Sequence, residues 1–311
     1  MAQERMAADA PYTHEPVLLE EVLSVLRAEM DGRASVRAVD GTLGLGGYSE
    51  AMLRTFPGAE VVGIDRDLEA LGFAQARLEG FGSRFSAVHA NFGDLRGALE
   101  GRGPFDVFVF DLGVSNMQLS EGERGFSFQK DGPLDMRMNP QGGGPTAADV
   151  LAQGDAKKLA RIFWEYGEER HSRRIAACVE EHLRRGGRLE TTGDLTALIR
   201  GCLPEPVQRK MGGHPARRVF QALRIFVNDE LGELDSMLGQ APALSRPGGV
   251  AVIVSYHSLE DRMVKHRFRA WEKEEGLGRV LTRHPILPGE EERARNYKAR
   301  SAKLRAFRFG A

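Results

Sequence analysis

The chain is poor in cysteine: Cys178 and Cys202 are the two it has, both in stretches of helical patterning. So few thiols cannot make a disulfide framework, and their spacing is not that of a metal site. Both read as small buried hydrophobes. Long apolar runs are missing too, and the polar stretch 1–11 has no apolar core of a signal peptide. A soluble protein of the reducing cytoplasm, without membrane contact, is therefore expected. No charge dominates. Lysine and arginine number 43 against 44 acids, a formal net charge of −1. Overall charge thus predicts no polyanion partner, and any nucleic-acid contact has to be local. The eight histidines show no metal-ligand spacing, so no metal is expected.

What the 311 residues do contain is alternation. Short apolar strands are expected at 36–40, 60–65, 85–90, 105–111 and 247–255. Helical patterns lie before and between them, at 16–26, about 49–55 and 68–78. Near-continuous apolar strands alternating with helices indicate an α/β protein with a mostly parallel sheet covered on both faces. The pattern then breaks. Residues 113–144 are rich in Gly, Pro, Asp and Met and show no sustained period, which marks a functional loop or linker. From 146 to 203 the reading is helical. Asp155 caps a helix that stops at Gly167, a second runs over 168–185, and Thr191 or Thr192 caps a third. Residues 119–221 are thus expected to form an inserted all-helical subdomain within a discontinuous domain of 1–118 and 222–311. One long helix is expected over 215–238, and two closing strands at 278–282 and 303–309.

Ligands of open parallel sheets bind at the carboxyl ends of the strands. Here those ends carry Asp40 with the glycine turn behind it, Asp65, Asn91-Phe92, Asp111 and Ser255-Tyr-His-Ser258. Asp65 lies nineteen residues beyond Gly46, a spacing that suits an acid accepting from ribose hydroxyls. Phe92 either flanks an adenine or packs in the core. A dinucleotide and S-adenosylmethionine both fit an adenosine pocket. In Gly44-Leu-Gly46-Gly-Tyr-Ser49 a serine replaces the third glycine of the dinucleotide fingerprint. Asp40 would also sit badly beside a pyrophosphate, but it suits the cationic amino-acid end of S-adenosylmethionine. Methyl transfer is therefore favoured. A nicotinamide-dependent oxidoreductase and a non-catalytic RNA-binding assembly factor remain as alternatives on the residues alone. Two basic runs, 206–228 and 293–308, contain no acid. They offer Arg217, Arg218, Lys298 and Arg300 as RNA contacts, with Tyr297 and Phe307 interleaved for stacking.

Several blocks carry a resemblance: Asp40-Gly-Thr-Leu-Gly-Leu-Gly-Gly-Tyr-Ser49, Asp111-Leu-Gly-Val-Ser-Asn-Met-Gln118, Arg124-Gly-Phe-Ser-Phe-Gln-Lys-Asp-Gly-Pro-Leu-Asp-Met-Arg-Met138, Tyr166-Gly-Glu-Glu-Arg170, His214-Pro-Ala-Arg-Arg-Val-Phe-Gln-Ala-Leu-Arg224 and Ser255-Tyr-His-Ser-Leu-Glu-Asp-Arg262. Over residues 14–304 the chain resembles the bacterial small-subunit (16S) ribosomal RNA (cytosine-N4)-methyltransferases. The resemblance implies a class I methyltransferase (Rossmann-like) fold whose helical insertion recognises substrate. It implies S-adenosylmethionine as cofactor and methylation of the N4 amine of one cytidine in the decoding centre of 16S ribosomal RNA, within the small subunit. A homodimer is one assembly it allows. Matched by position, the family's cofactor contacts fall on Gly46, Gly47, Tyr48, Asp65, Phe92, Asp111 and Gln118. The chain departs from the family pattern at Tyr48, where histidine is usual, and at Asn116-Met117, which replace Ser-Pro. The N4 lone pair of cytosine is delocalised into the ring, so an acceptor for its protons is needed. Asp111 and His257 are the two candidates.

Overall fold

A computed structural model describes residues 16–114 and 122–310. The chain opens with α1 (Leu19–Glu29), β1 (Val36–Asp40), α2 (Gly47–Thr55), β2 (Ala59–Asp65) and α3 (Leu68–Leu78). It continues through β3 (Phe85–His89), the single turn α4 (Leu95–Ala98) and β4 (Phe105–Asp111). Next come α5 (Ala147–Gln153), α6 (Ala156–Glu165), α7 (Ser172–Arg184), α8 (Thr192–Cys202), α9 (Glu205–Lys210) and α10 (Arg217–Asn228). The chain closes with α11 (Glu230–Leu244), β5 (Ser245–Ser255), α12 (Ser258–Lys273), β6 (Gly278–Val280), α13 (Glu290–Arg295) and β7 (Lys303–Phe309). No helix among the described residues is long and apolar enough to cross a membrane. Val114–Glu230 forms one compact unit and the remainder of the chain another.

The seven strands of the larger unit form one sheet in the order β3-β2-β1-β4-β5-β7-β6. Strands β1 to β5 run parallel, and β7 is inserted antiparallel to β5 and β6. This is the mostly parallel sheet, covered on both faces, that the alternation of strands and helices predicts. The strand order reverses between β1 and β4, which opens a crevice at their carboxyl ends. Side chains alternate across the sheet. Ala38, Val61, Val107, Val109, Val252 and Val254 pack on one face with Leu26, Met52, Leu53 and Leu71. Val39, Ile64, Phe108, Phe110 and Ile253 pack on the other with Leu234, Leu238, Phe268 and Trp271. Phe105 joins that second cluster because the β4–β5 register shifts between Phe105 and Val107. Each such buried side chain contributes about 1.5–3 kcal/mol.

The smaller unit has its own core, which includes Leu159, Ile162, Phe163, Ile175, Val179, Leu195, Ile199, Phe220 and Leu223. Its helices begin where the sequence offers caps. Thr146 and Thr191 form capping boxes with Asp149 and Asp194, and Asp155 accepts from the Lys158 amide. Two expected helices differ. The one foreseen over 168–185 starts at Ser172, because Glu168 is left-handed (φ 49°) and Gly167 lies against the Arg218 carbonyl. The one foreseen over 215–238 is two helices, because Asp229 is left-handed (φ 49°) and ends α10. Alpha10 packs into the smaller unit's core through Val219, Phe220 and Leu223, so that unit reaches Glu230 rather than 221. The aperiodic stretch after 122 is firmly held. Phe126, Leu134, Met136 and Met138 are buried, and the backbone of Gly132 and Leu134 bonds to Thr192 and Glu190. Cys202 is buried and Cys178 half-buried; both are free thiols.

At the amino end of β4, Asp106 is buried and fully engaged. It pairs with Arg33, accepts from the Arg37 amide at 2.9 Å and from Arg246 Nη1 at 3.1 Å. Asp106→Ala is expected to destabilise the larger unit by about 2–3 kcal/mol, less than a fully buried pair costs, because both arginines can be rehydrated. Urea unfolding in a Trp164→Phe background, where Trp271 reports this unit, checks it. An unmoved midpoint would mean that these arginines do not depend on Asp106.

Candidate active site

The strand ends converge as the parallel sheet requires. Asp40 closes β1 and is fully buried. Its Oδ2 accepts from Ser49 Oγ at 2.7 Å, whereas Oδ1 has no well-formed hydrogen bond among the described residues. Burial pushes its pKa up to about 6 against the hydrogen bonds from Ser49 and Thr42. Behind it the chain must turn sharply into α2. Gly46 is left-handed (φ 80°), and a Cβ there would lie 2.9 Å from Leu78 Cδ1, so only glycine closes this turn. A Cβ at Gly41 would enter the Phe110 ring.

Asp65 closes β2 and braces the turn: Oδ2 accepts from the Gly44 amide at 2.7 Å and Oδ1 from the Asp67 amide at 2.9 Å. Burial raises its pKa and the backbone donors oppose the rise. Phe92, after β3, is half-buried and meets Phe110 edge-on, with ring centroids 6.1 Å apart. Tyr48 is buried in α2, and its hydroxyl donates to the Val17 carbonyl. Gly47 packs against Pro16.

Asp111 closes β4. Its amide donates to Thr42 Oγ1 at 2.6 Å, and its Oδ1 accepts from the Tyr256 hydroxyl at 2.6 Å. Burial pushes the carboxyl up to about 7; Tyr256 and the nearby Lys298 charge pull it down, and Asp40 and Glu260 push it up. Next to Tyr256, His257 is the N-cap of α12. Its Nδ1 accepts from the Glu260 amide at 3.4 Å, and Glu260 Oε2 accepts from the amides of Tyr256 and His257 at 2.8 and 3.3 Å. His257 Nε2 lies 3.1 Å from Glu260 Oε1 without the alignment of a hydrogen bond. The histidine is thus used as a helix cap.

The larger unit therefore gathers Asp40, Asp65, Asp111 and the glycine turn, with Phe92, Tyr48 and His257 around them. Gln118 lies outside the described residues. Of the basic candidates, Lys298 is half-buried within electrostatic reach of Asp111, and Arg300 stacks over Tyr297 at 5.0 Å. In the smaller unit Arg217 is exposed, whereas Arg218 is half-buried and donates to the Glu168 carbonyl at 2.7 Å. Sequence reasoning missed Thr42, Ser49 and Tyr256 as partners of the acids. Ser49 had a signal, since it follows the turn directly; Tyr256 had its place at a strand end, but its pairing with Asp111, 145 residues away, had none.

A family model described as the MraW methylase family matches residues 11–309. The chain is similar to proteins named ribosomal RNA small subunit methyltransferase H. The protein of Synechococcus sp. (strain CC9311) is 45% identical over 99% of this chain and 97% of its own length. That of Nocardioides sp. (strain ATCC BAA-499 / JS614) is 47% identical over 95% and 96%. That of Methylorubrum populi is 45% identical over 98% and 89%.

A carboxyl raised to about 7 in the folded state and near 3.8 otherwise favours folding only while it is protonated; that contribution is lost as pH rises through about 7. Asp111→Asn keeps an acceptor for Tyr256 and removes the buried charge. It is expected to raise the Tm of the ligand-free protein at pH 8 by about 2–4 °C, with the difference shrinking as pH falls and vanishing only towards about pH 4. Thermal melts at both pH values check this. A lower Tm at pH 8 would mean that the ionised carboxylate is already satisfied.

Proposed function

The chain belongs to the MraW methylase family, and from that premise we propose that it methylates the N4 amine of a cytidine in the decoding centre of 16S ribosomal RNA, using S-adenosylmethionine. It is a methyltransferase acting on small-subunit ribosomal RNA. The observation that carries the reading is the set of acids at the switch point, Asp40 buried and Asp65 and Asp111 half-buried. Asp40 has an oxygen without a hydrogen bond, and Asp111 is held up to about 7. Such a site is poor in compensating charge and fits a ligand bearing a cation, as the ammonium and sulfonium of S-adenosylmethionine do. A pyrophosphate would add to the repulsion.

Asp65 accepts from the amides of Gly44, Asp67 and Arg66 in bracing the turn, and with the acceptor capacity left it holds the ribose hydroxyls. The amides of Gly46, Gly47 and Tyr48 border the cofactor from the start of α2, and Phe92 flanks its base. Gln118 completes the family's contacts by position. S-adenosylmethionine, when bound, supplies a methyl group already activated on sulfur. What remains for the chain is alignment and proton removal; alignment alone is worth up to about 7–11 kcal/mol in ideal cases. Tyr256 fixes one oxygen of Asp111, which leaves the other to accept from the N4–H of the flipped-out base. His257 serves this by keeping the start of α12, and so Tyr256, in place. Lys298 and Arg300 contact RNA on the rim of this unit, and Arg217 does so from the helical insertion, whose role is substrate recognition.

Transfer of labelled methyl groups from S-adenosylmethionine to small-subunit particles tests the activity, and nucleoside mass spectrometry identifies the product. N4-methylcytidine at one position is expected. Label on another atom overturns the assignment of the target, and no label on RNA overturns the activity. Cofactor affinity carries a second expectation. A cation binds the ionised acids, so calorimetry should find affinity rising about tenfold per pH unit below 7 and levelling near 8, with proton release on binding below 7. An affinity independent of pH would remove Asp111 from the site.

A further inference from the structure

Alpha6 has two unlike faces. Leu159, Ile162 and Phe163 are buried in the smaller unit's core. Lys157, Arg161 and Trp164, spaced by four and three residues, share the outer face and are exposed. Trp164 leaves 57% of its surface in water. The connection into α7 adds exposed Arg170, and the first turn of α7 adds exposed Arg173 and Arg174. These six residues line one open groove of about 810 Å³, and no acid lines it. Arg161 is partly neutralised by Glu165, at 2.8 Å; Lys157, Arg170, Arg173 and Arg174 have no ion pair among the described residues. Two arginines in the first turn of α7, without an acid there, also stand at the positive end of a helix dipole. Cations collected in this way repel one another until an anion arrives. The connection between α6 and α7 is firmly held. Arg218 Nη1 and Gln221 Nε2, from α10, donate to the carbonyls of Glu168 and Tyr166 at 2.7 and 3.1 Å. The buried Glu169 carboxylate accepts from the His171 amide at 2.8 Å.

We propose that this groove binds an unpaired stretch of the RNA substrate, with Trp164 stacking on a base and Lys157, Arg170, Arg173 and Arg174 taking successive phosphates; the proposal rests on the reading of the protein as an RNA methyltransferase. An indole face is sequence-tolerant and reachable only by a base outside a duplex, and the surrounding cations track a backbone. Arg218 is a positioning residue here. It shapes the connection that presents Arg170.

The test uses the full-length protein with naked 16S RNA and with small-subunit particles. Trp164→Ala is expected to weaken RNA binding about tenfold with little change in salt dependence, because stacking releases no counterions. The double variant Arg173→Glu/Arg174→Glu is expected to weaken it further and to flatten the slope of log affinity against log salt by about 1.4, as two single-strand phosphate contacts require. Both should raise KM for RNA, leave kcat at saturating RNA unchanged, and keep the wild-type affinity for S-adenosylhomocysteine and the wild-type Tm. Unaltered affinity and salt slope in variants of an active enzyme overturn the groove and leave the activity standing. Variants that bind naked RNA normally but lose affinity for the particle would put a ribosomal protein in the groove and equally overturn it. A wild-type protein that methylates no RNA overturns the functional reading, and this proposal with it.

Discussion

One strand carries an acid near each end, buried Asp106 and half-buried Asp111, and much of the larger unit follows from their opposite fates. At the amino end of β4, Asp106 is held by Arg33, Arg246 and the Arg37 amide. At the carboxyl end, Asp111 has a tyrosine hydroxyl, a threonine beneath its amide, the more distant charge of Lys298, and two acids that repel it. The first arrangement satisfies a buried charge; the second leaves it poised near neutrality. A parallel sheet makes this asymmetry available because all of its strands β1 to β5 end on the same edge. Three strand-end acids can then share one edge, each destabilised by desolvation, with Asp65 acting on Asp40 and Asp40 on Asp111. The apolar faces of the sheet supply the stability that lets such a site persist.

The glycine turn obeys the same constraint. Asp65 can hold the Gly44 amide only if the chain after β1 folds back tightly, which needs a left-handed Gly46 against Leu78. Ser49 then falls within reach of Asp40. The turn, the helix start and two of the three acids are therefore one hydrogen-bonded unit, and a change in any of them would be felt by the others.

Much of this was legible in the sequence because it is local or periodic. The five parallel strands, the acids at their ends and the turn show as apolar runs followed by polar residues, and two of the capped helices of the insertion announce themselves through Asp155 and the Thr191-Thr192 pair. What was hidden depends on contacts between distant residues. Nothing near Asp229 or Glu168 advertises a left-handed backbone, since neither is glycine. The stretch after 122 has no period because its buried residues pack individually under loops and helices rather than along one face. His257 stands out in the sequence as a proton acceptor by its place at a strand end; that it also caps α12 with Glu260 depends on the fold. Arg218 is likewise one member of an acid-free run until its bond to the Glu168 carbonyl separates it from exposed Arg217.

Charge makes the same point more sharply. A net charge of −1 says only that the sum is small. Within that sum, many arginines are paired over short distances on single helices, such as Arg54 with Glu50 and Arg209 with Glu205, and these pairs contribute little beyond solubility. The informative charges are those left over: carboxylates short of cations at the strand ends, and, in the smaller unit, arginines short of acids around an exposed tryptophan. Each surplus is a local electrostatic cost that folding has not removed. A cationic cofactor relieves the first and a polyanion relieves the second, so the two surpluses have the signs that methyl transfer to RNA needs, and neither is visible in the total.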